Sequence, residues 1–406
     1  MRIPLSIAFI VRDPLPPVRA DLLTLFGVEM PRYGVASALV GQAGGDAPVA
    51  WSAGGAYPVG SVNSPYASVL APLWDLAGLV RAASRMRPDC IQVRDKIASS
   101  LLARIAAAML GIPFIYWMSF PIVEGYEARR DALAQRGKTI AWLAHAARAA
   151  LARRVLYRLV LPGAHHLFVQ SEAMADWLAA QGLARTRMTP VPMGIDAMLF
   201  RRSSIAPSAD PRLDGRRVVL YLGRVAQARQ SGFLLDVAAR LRGLVPGSLL
   251  VIVGDAPSRD EMAWMRAEIA RRGLERDVLL TGWLPQREAL GYAVRAEVGL
   301  SPIPRGALFD VSSPTKLVEY LALGIPSVAN DIPDQAQVLE QSGAGLCVPM
   351  EPDAFAHAVR RLLDEPGLAA GFAARGPDWV HAHRTYAILG RVVARAYAGI
   401  LADRVA

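Results

Sequence analysis

The chain has 406 residues, is 53% hydrophobic, carries a formal net charge of +10 and contains two cysteines. That length and apolar content provide for two large cores and exclude a disordered chain. Cys90 and Cys347 sit in separate apolar, strand-like runs, one in each half, so a disulfide framework is excluded and a reduced cytoplasmic setting is expected.

The apolar run at the start is too short before Arg12-Asp13 for a signal peptide and reads as a buried first strand over 6–11. Further strands are expected at 35–40, 91–94, 114–117 and 167–170, and a second series begins at Val218. Such apolar runs alternate with Ala/Leu/Arg-rich helical patterns, which indicates repeated βα units and parallel sheets. Residues 105–123 carry no charge over nineteen positions, a length that suggests a membrane span. Gly111, Pro113, Ser119 and Pro121 interrupt the run, which reads instead as a helix end followed by a buried strand.

Most of the positive charge lies early, with 20 basic against 13 acidic residues in positions 1–200. Within 128–160, Arg129, Arg130, Arg136, Lys138, Arg148, Arg153, Arg154 and Arg158 face only Asp131, and Trp142, Leu143 and Leu151 are interleaved with them. This pattern suits either an anionic membrane surface or a helix packed on its own domain with a solvated basic face. No nucleic-acid module is recognisable, so no nucleic-acid partner is expected. The Ser-, Pro- and Asp-rich stretch 204–215 reads as an interdomain linker between an N-terminal domain, 1–203, and a C-terminal domain, 216–376. Residues 377–406 read as a C-terminal helical segment.

The run Ser312-Ser313-Pro314-Thr315-Lys316-Leu317-Val318-Glu319-Tyr320 reads as a helix start, with Ser313 as N-cap and Pro314 in the first turn. The free amides of Thr315, Lys316 and Leu317 would then face an anion such as a diphosphate, with Lys316 adding a full charge. Glu319, three residues on, shares that face and is placed to accept hydrogen bonds from ribose hydroxyls. An ordinary capped helix with a Lys316–Glu319 ion pair fits the same residues.

Around this helix stands an ordered set of motifs. Arg217-Val-Val-Leu-Tyr-Leu-Gly223-Arg224 with Arg229, Leu249-Leu-Val-Ile-Val-Gly254-Asp255, Thr281-Gly282-Trp283 and Ser301-Pro302 precede it, and Ser327-Val-Ala-Asn-Asp331 follows. The set resembles the C-terminal domain of glycosyltransferase family 4, and Phe168-Val-Gln-Ser171-Glu172 and Val191-Pro-Met-Gly194 continue the resemblance into the N-terminal half. The resemblance implies an α/β protein of GT-B architecture, two Rossmann-like parallel-sheet domains facing each other across a cleft, with the C-terminal helix returning to the N-terminal domain.

It further implies metal-independent transfer of a sugar, with retention, from a UDP- or GDP-linked donor to a saccharide or polyprenyl-linked acceptor in polysaccharide or glycoconjugate synthesis. No cofactor is expected. By matched position Arg224 and Arg229 would stabilise the departing diphosphate. Gly223, Gly282, Trp283, Ser313, Thr315, Lys316, Leu317 and Glu319 would hold the donor. Ser119, Glu124, Ser171 and Glu172 are the acceptor candidates, although Ser171 and Glu172 also suit a helix cap. Relatives place a second glutamate eight positions before the ribose-binding one; here that position is Val311. Asp310 is the expected substitute, with backbone groups of 309–313 as the alternative. This departure keeps open a catalytically silent GT-B scaffold, and a nucleotide-sugar epimerase is the other alternative. Localisation is expected to be cytoplasmic, with peripheral contact at the inner membrane face through 128–160.

Overall fold

The structure, a computed structural model, describes residues 5–45, 48–135, 137 and 139–402. The chain folds as two compact units. One takes the chain to Pro192 together with everything from Tyr386 onward, and the other is Met193–Thr385.

The first unit is built on a seven-stranded sheet. Its strands are β1 (Leu5–Ile10), β2 (Val35–Ala43), β3 (Ala56–Ser61), β4 (Cys90–Arg94), β5 (Phe114–Met118), β6 (His166–Val169) and β7 (Met188–Pro190). All pairings are parallel and the order is β3-β2-β1-β4-β5-β6-β7. β4, β5 and β6 are buried at every position, which is why they read as unbroken apolar runs. β3 had no sequence signal because Pro58 and Gly60 interrupt it, and both are tolerated at a sheet edge. The uncharged run 105–123 divides into the end of the helix Ala98–Leu110, a turn at Gly111 and β5. Among the described residues no helix is long and apolar enough to cross a membrane.

Alternate residues of this sheet face two layers. One layer is the helical stretch Asp21–Glu29 with the last helix, Tyr386–Ala402, whose Tyr386, Leu389, Val393 and Tyr397 share a core with Phe9, Phe26, Trp117 and Phe168. Tyr397 Oη donates to the buried Gln92 side chain. The other layer includes the helices Ala67–Met86 and Ala98–Leu110.

The second unit has a six-stranded parallel sheet, β8 (Arg217–Leu222), β9 (Ser248–Val253), β10 (Val278–Gly282), β11 (Val298–Ser301), β12 (Ser327–Asn330) and β13 (Gly345–Val348), in the order β10-β9-β8-β11-β12-β13. Both sheets therefore reverse strand order beside their first strand, the arrangement that leaves a crevice at the carboxyl ends of the strands.

The unit boundaries differ from the expected linker. Segment 204–215 is packed into the second unit: Ser208 N–H donates to Gly291 O (2.9 Å), Tyr292 Oη donates to Asp210 (2.6 Å), and Leu213 is buried in the core. Its polar composition reflects local capping, with Asp210 accepting from Arg212 N–H, so a lack of periodicity here did not mean a lack of packing. The expected break at 376/377 lies inside the helix Pro366–His383. The division falls later because Arg384 is anchored in the second unit by Asp334 (2.7 Å), and Ile195 N–H bonds Arg384 O (2.8 Å).

Candidate functional site

In the second unit β8 ends at Leu222 and the chain turns through Gly223 beneath the helix Thr315–Ala322. Two contacts lock turn and helix together. Leu222 N–H donates to Tyr320 Oη at 2.7 Å, and Lys316 Nζ lies 5.3 Å from the centroid of the Tyr221 ring. A β-carbon on Gly223 would stand 3.4 Å from Lys316 Cδ, ordinary contact distance, so the lysine stem lies against the turn. Gly254, at φ +153°, is required more strictly. A β-carbon there would come within 2.1 Å of Gly223 O.

The helix begins one residue later than the sequence pattern suggests. Pro314 is the N-cap and no side chain caps the first-turn amides. Ser313 does not cap because its hydroxyl is used elsewhere: it accepts from Met193 N–H and donates to Asp334 Oδ2, both at 2.9 Å, while Arg384 holds the other Asp334 oxygen. Thr315, Lys316 and Leu317 thus present a helix N-terminus without a competing side chain, an electropositive end suited to an anion. Lys316 makes no salt bridge with Glu319 among the described residues. Its ammonium sits over Tyr221, so the plain amphipathic helix with an ion pair is not what forms. The Glu319 carboxyl is pushed above the ordinary glutamate range by burial, against the opposing effects of Lys316 and a hydrogen bond from Thr315.

The loop after β8 is pinned from below. Val225 N–H donates to Asp255 O (3.0 Å), Ala226 N–H to Ser231 Oγ (3.0 Å) and Gln227 N–H to Glu261 (2.8 Å). Val225 and Ala226 are buried, whereas Arg224 and Arg229 project into solvent. Among the described residues neither guanidinium has a hydrogen-bond or ion-pair partner. At the end of β10, Gly282 adopts φ +77° and Trp283 is 71% exposed. Arg224, Lys316 and Gly223 are brought together by the Tyr221 clamp, since Tyr221 Oη also donates to Arg224 O (3.2 Å).

Asp310 is placed otherwise than expected. Arg305 Nε donates to it at 2.8 Å, Gly306 N–H donates to the same oxygen, and Arg305 reaches Asp331 with its other arm. Val311, at the position of the missing glutamate, is buried. The aspartate is held as the N-terminal anchor of the turn 306–312.

In the first unit the acceptor candidates are engaged internally. Ser119 donates through Oγ to Asp95, whose other oxygen accepts from Ser119 N–H at 2.9 Å. Glu124 accepts from Arg153 (2.9 Å) and Tyr157 (3.1 Å). Ser171 is the N-cap of the helix Glu172–Ala179, accepting from Met174 N–H at 2.9 Å, and Glu172 pairs with Arg185. In the basic segment Arg153 is neutralised by Glu124 and Glu127, Arg130 by Asp131, and Arg148 stacks on Tyr126. Arg136 and Lys138 lie outside the described residues.

Sequence reasoning missed a buried network at the carboxyl ends of β1 and β4. Asp75, fully buried, accepts from Lys96, Gln42 and Ser99 at 2.6–2.9 Å, and Arg94, 1% exposed, pairs with Asp21 at 2.5 Å. Burial opposes ionisation of Asp21, but Arg94 and Arg19 together outweigh it and hold the carboxyl below its usual range. Asp95 takes φ +51°, a strained value for a residue other than glycine. Nothing in the local sequence announces that strain. Tyr221 and Tyr320 were also missed as clamps, because their helical and strand spacing marks them only as core.

Family models match over most of the chain: "Glycosyl transferase 4-like domain" over residues 22–194 and "Glycosyl transferases group 1" over residues 216–365. Among curated proteins, the alpha-D-kanosaminyltransferase of Streptomyces kanamyceticus is 30% identical over 157 residues, 38% of this chain and 39% of that protein. A GDP-mannose-dependent alpha-(1-6)-phosphatidylinositol dimannoside mannosyltransferase of Mycobacterium tuberculosis is 26% identical over 187 residues, 45% of this chain and 46% of that protein. These matches span less than half the length of either relative. The 2-deoxystreptamine glucosyltransferase of S. kanamyceticus is 25% identical over 317 residues, 75% of this chain and 76% of that protein. Solved structures share the fold. Sucrose-phosphate synthase of Thermosynechococcus elongatus superposes with a TM-score of 0.72 at 18% identity, over 98% of this chain and 100% of that one. Anabaena Alr3699/HepE in complex with UDP and glucose gives 0.67 at 17% identity, over 97% and 99%.

Proposed function

Because the chain belongs to the group 1 glycosyl transferases, with two Rossmann-like parallel-sheet units of the GT-B kind, we propose that it transfers a sugar from a nucleoside diphosphate to a saccharide or lipid-linked saccharide. The observation that carries the reading is the helix Thr315–Ala322, with its uncapped first turn, an unpaired Lys316 at that end and Glu319 one turn inside. The amides and Lys316 would hold the diphosphate and Glu319 the ribose, while Trp283 would border the base.

As the glycosidic bond to the diphosphate breaks, negative charge grows on the leaving oxygens. Arg224 and Arg229, exposed and unpaired on a pinned loop, together with Lys316, supply fixed positive charge there without help from a metal ion. Retention of configuration belongs to this reading by family. Uridine and guanosine donors both fit it: the tuberculosis relative is named GDP-mannose-dependent, and the HepE structure holds UDP and glucose. A lipid-linked acceptor and peripheral membrane contact through 128–160 complete the proposal.

The test is thermal stabilisation by a panel of nucleotide diphosphates and nucleotide sugars, wild type against Glu319→Ala, followed by turnover with a lipid-linked acceptor. A base-selective shift lost in the variant, with transfer to acceptor, supports the reading. The engaged Asp310 and buried Val311 favour one second reading, a nucleotide-binding scaffold. Binding without any turnover would establish that instead, and no binding at all would sink both.

A further inference from the structure

Two helices of the first unit lie side by side, and the end of a third helical run touches the second of them. The helix Ala67–Met86 packs on β1–β3 and beside Ala98–Leu110, which packs on β4 and β5 and touches Leu156–Val160, the continuation of Thr139–Val155. Arg104 fixes the second contact by donating to Leu159 O. Each run buries one stripe: Asp75, Gly78, Leu79 and Ala82 in the first, Ser99, Ala103 and Ala107 in the second, Ala149, Ala152, Leu156 and Val160 in the third.

About half a turn away on each, at roughly 100° per residue, stands an exposed stripe of aliphatic side chains. Val69 (73% exposed) and Leu73 mark the first, Ile105 and Met109 (83%) the second, Leu143 and Leu151 the third. Between them stand small residues, and Arg81, Arg85, Arg154 and Arg158 are exposed beside them. Carboxylates are missing from this outer surface. The three runs hold a single acidic residue, Asp75, and it is fully buried and paired with Lys96.

An ordinary solvated face mixes both signs of charge and does not present aliphatic residues in rows. We propose that this three-helix face docks on an anionic lipid bilayer, with the aliphatic side chains entering the headgroup boundary and the arginines meeting lipid phosphates. It rests on the membrane partner proposed above and enlarges it. The helix Ile122–Gln135 is left out, since Glu124 and Glu127 neutralise Arg153 there, and two helices outside 128–160 are brought in. Charge complementarity selects the occupant. The rows are aliphatic, with one exposed aromatic residue, Tyr66, at the start of the first helix, which suits acyl chains and a headgroup boundary better than a run of stacked bases, and helical runs without an exposed carboxylate suit anionic headgroups.

The full chain should be sedimented with phosphatidylcholine vesicles with and without phosphatidylglycerol. Wild type should bind the anionic vesicles more strongly by about tenfold or more, with release as salt rises. The double variant Val69→Glu, Met109→Glu, both outside 128–160 and both solvent-exposed, should lose about tenfold of that binding while its thermal transition and its turnover of a soluble acceptor stay unchanged. A second measurement does not depend on losing binding: Met109→Trp should gain fluorescence quenching by brominated lipid over the wild-type background. Wild type that ignores anionic vesicles would overturn this face and the membrane partner alike. Wild type that binds, with the double variant unaltered or Met109→Trp unquenched, would overturn the enlarged face alone and leave 128–160 as the docking segment. Loss of transfer with vesicle binding intact would instead count against the catalytic proposal.

Discussion

Both sheets carry charged residues where their parallel strands end, yet the two ends are built differently. In the first unit Asp21, Arg94, Asp75 and Asp95 lie buried, with Lys96 at their edge, and each bonds to another of the group or to Ser119, Arg94 Nη1 alone being left without a partner among the described residues. In the second, Arg224 and Arg229 on the pinned loop after β8, and Lys316 and Glu319 in the helix Thr315–Ala322, stand without ion-pair partners among the described residues. A charge that the fold has already paired contributes to structure. A charge that the fold positions and leaves unpaired is kept for something that binds. The difference explains why residue-level roles can be proposed at the end of the second sheet and not at the end of the first.

The largest effect expected from this contrast is on stability. Asp75→Ala leaves the Lys96 ammonium in a site whose burial already lowers its pKa, with the Gln42 carbonyl and only the weaker influence of Asp13 in place of its bonded carboxylate. Breaking a buried pair from one side costs about 3–5 kcal/mol, so denaturant unfolding should show a loss of that size. A loss below about 1 kcal/mol would mean that Asp75 and Lys96 are not an internally satisfied pair. The matching change in the second unit should act on binding instead. If Glu319 holds the ribose as proposed, Glu319→Ala should cost its charge-assisted hydrogen bonds, about 2–3 kcal/mol, or on the order of 30–150-fold in nucleotide affinity. The melting temperature of the ligand-free protein should hold or rise, because a carboxyl disfavoured by burial has been removed. A fall in that temperature together with unchanged affinity would reverse the assignment.

The pH dependence sharpens the same point. Burial raises the Glu319 pKa, so the folded protein favours the proton and the group's contribution to stability is lost as pH rises through that raised value. The proposed ribose contact uses the carboxylate, so nucleotide affinity should move in the opposite sense, weakening as pH falls, and from a higher pH than an ordinary glutamate would give. Titration calorimetry across the acid range reads this directly. A profile identical in Glu319→Gln would remove the glutamate from the site.

Much of this second unit was legible in the sequence, because its strands are short apolar runs and the helix Thr315–Ala322 carries a proline start, a lysine and a glutamate at fixed spacing. What the sequence could not show was which polar groups are already occupied. Ser313 has the chemistry of an N-cap but spends its hydroxyl on Met193 and Asp334, a contact across 120 positions. Segment 204–215 has the composition of a linker, yet Leu213 and Tyr292 draw it onto the second core. In the first unit the strands 6–11, 35–40, 91–94, 114–117 and 167–170 were readable, while the Asp75–Lys96 pair was not. Its members are 21 positions apart and meet only through sheet order.

Asp310 gives the finest test, because its chemistry suggests one role and its contacts another. Arg305 holds it at 2.8 Å with the pair half exposed, and the same arginine bridges to Asp331. Exposed pairs of this kind are worth about 0–1 kcal/mol, so Asp310→Asn should barely move the melting temperature. If the carboxylate only anchors the turn 306–312, asparagine keeps an acceptor for Gly306 N–H and turnover should change less than about threefold. If it reaches the donor sugar in place of the glutamate that Val311 lacks, removing its charge should lower kcat by about a hundredfold or more, with nucleotide affinity unaltered. The small effect is the expected one, since a carboxylate already bound to a guanidinium would have to give up that pair before it could hold a sugar hydroxyl. The sugar would then be held by the backbone of 309–313, which no side-chain substitution at 310 removes.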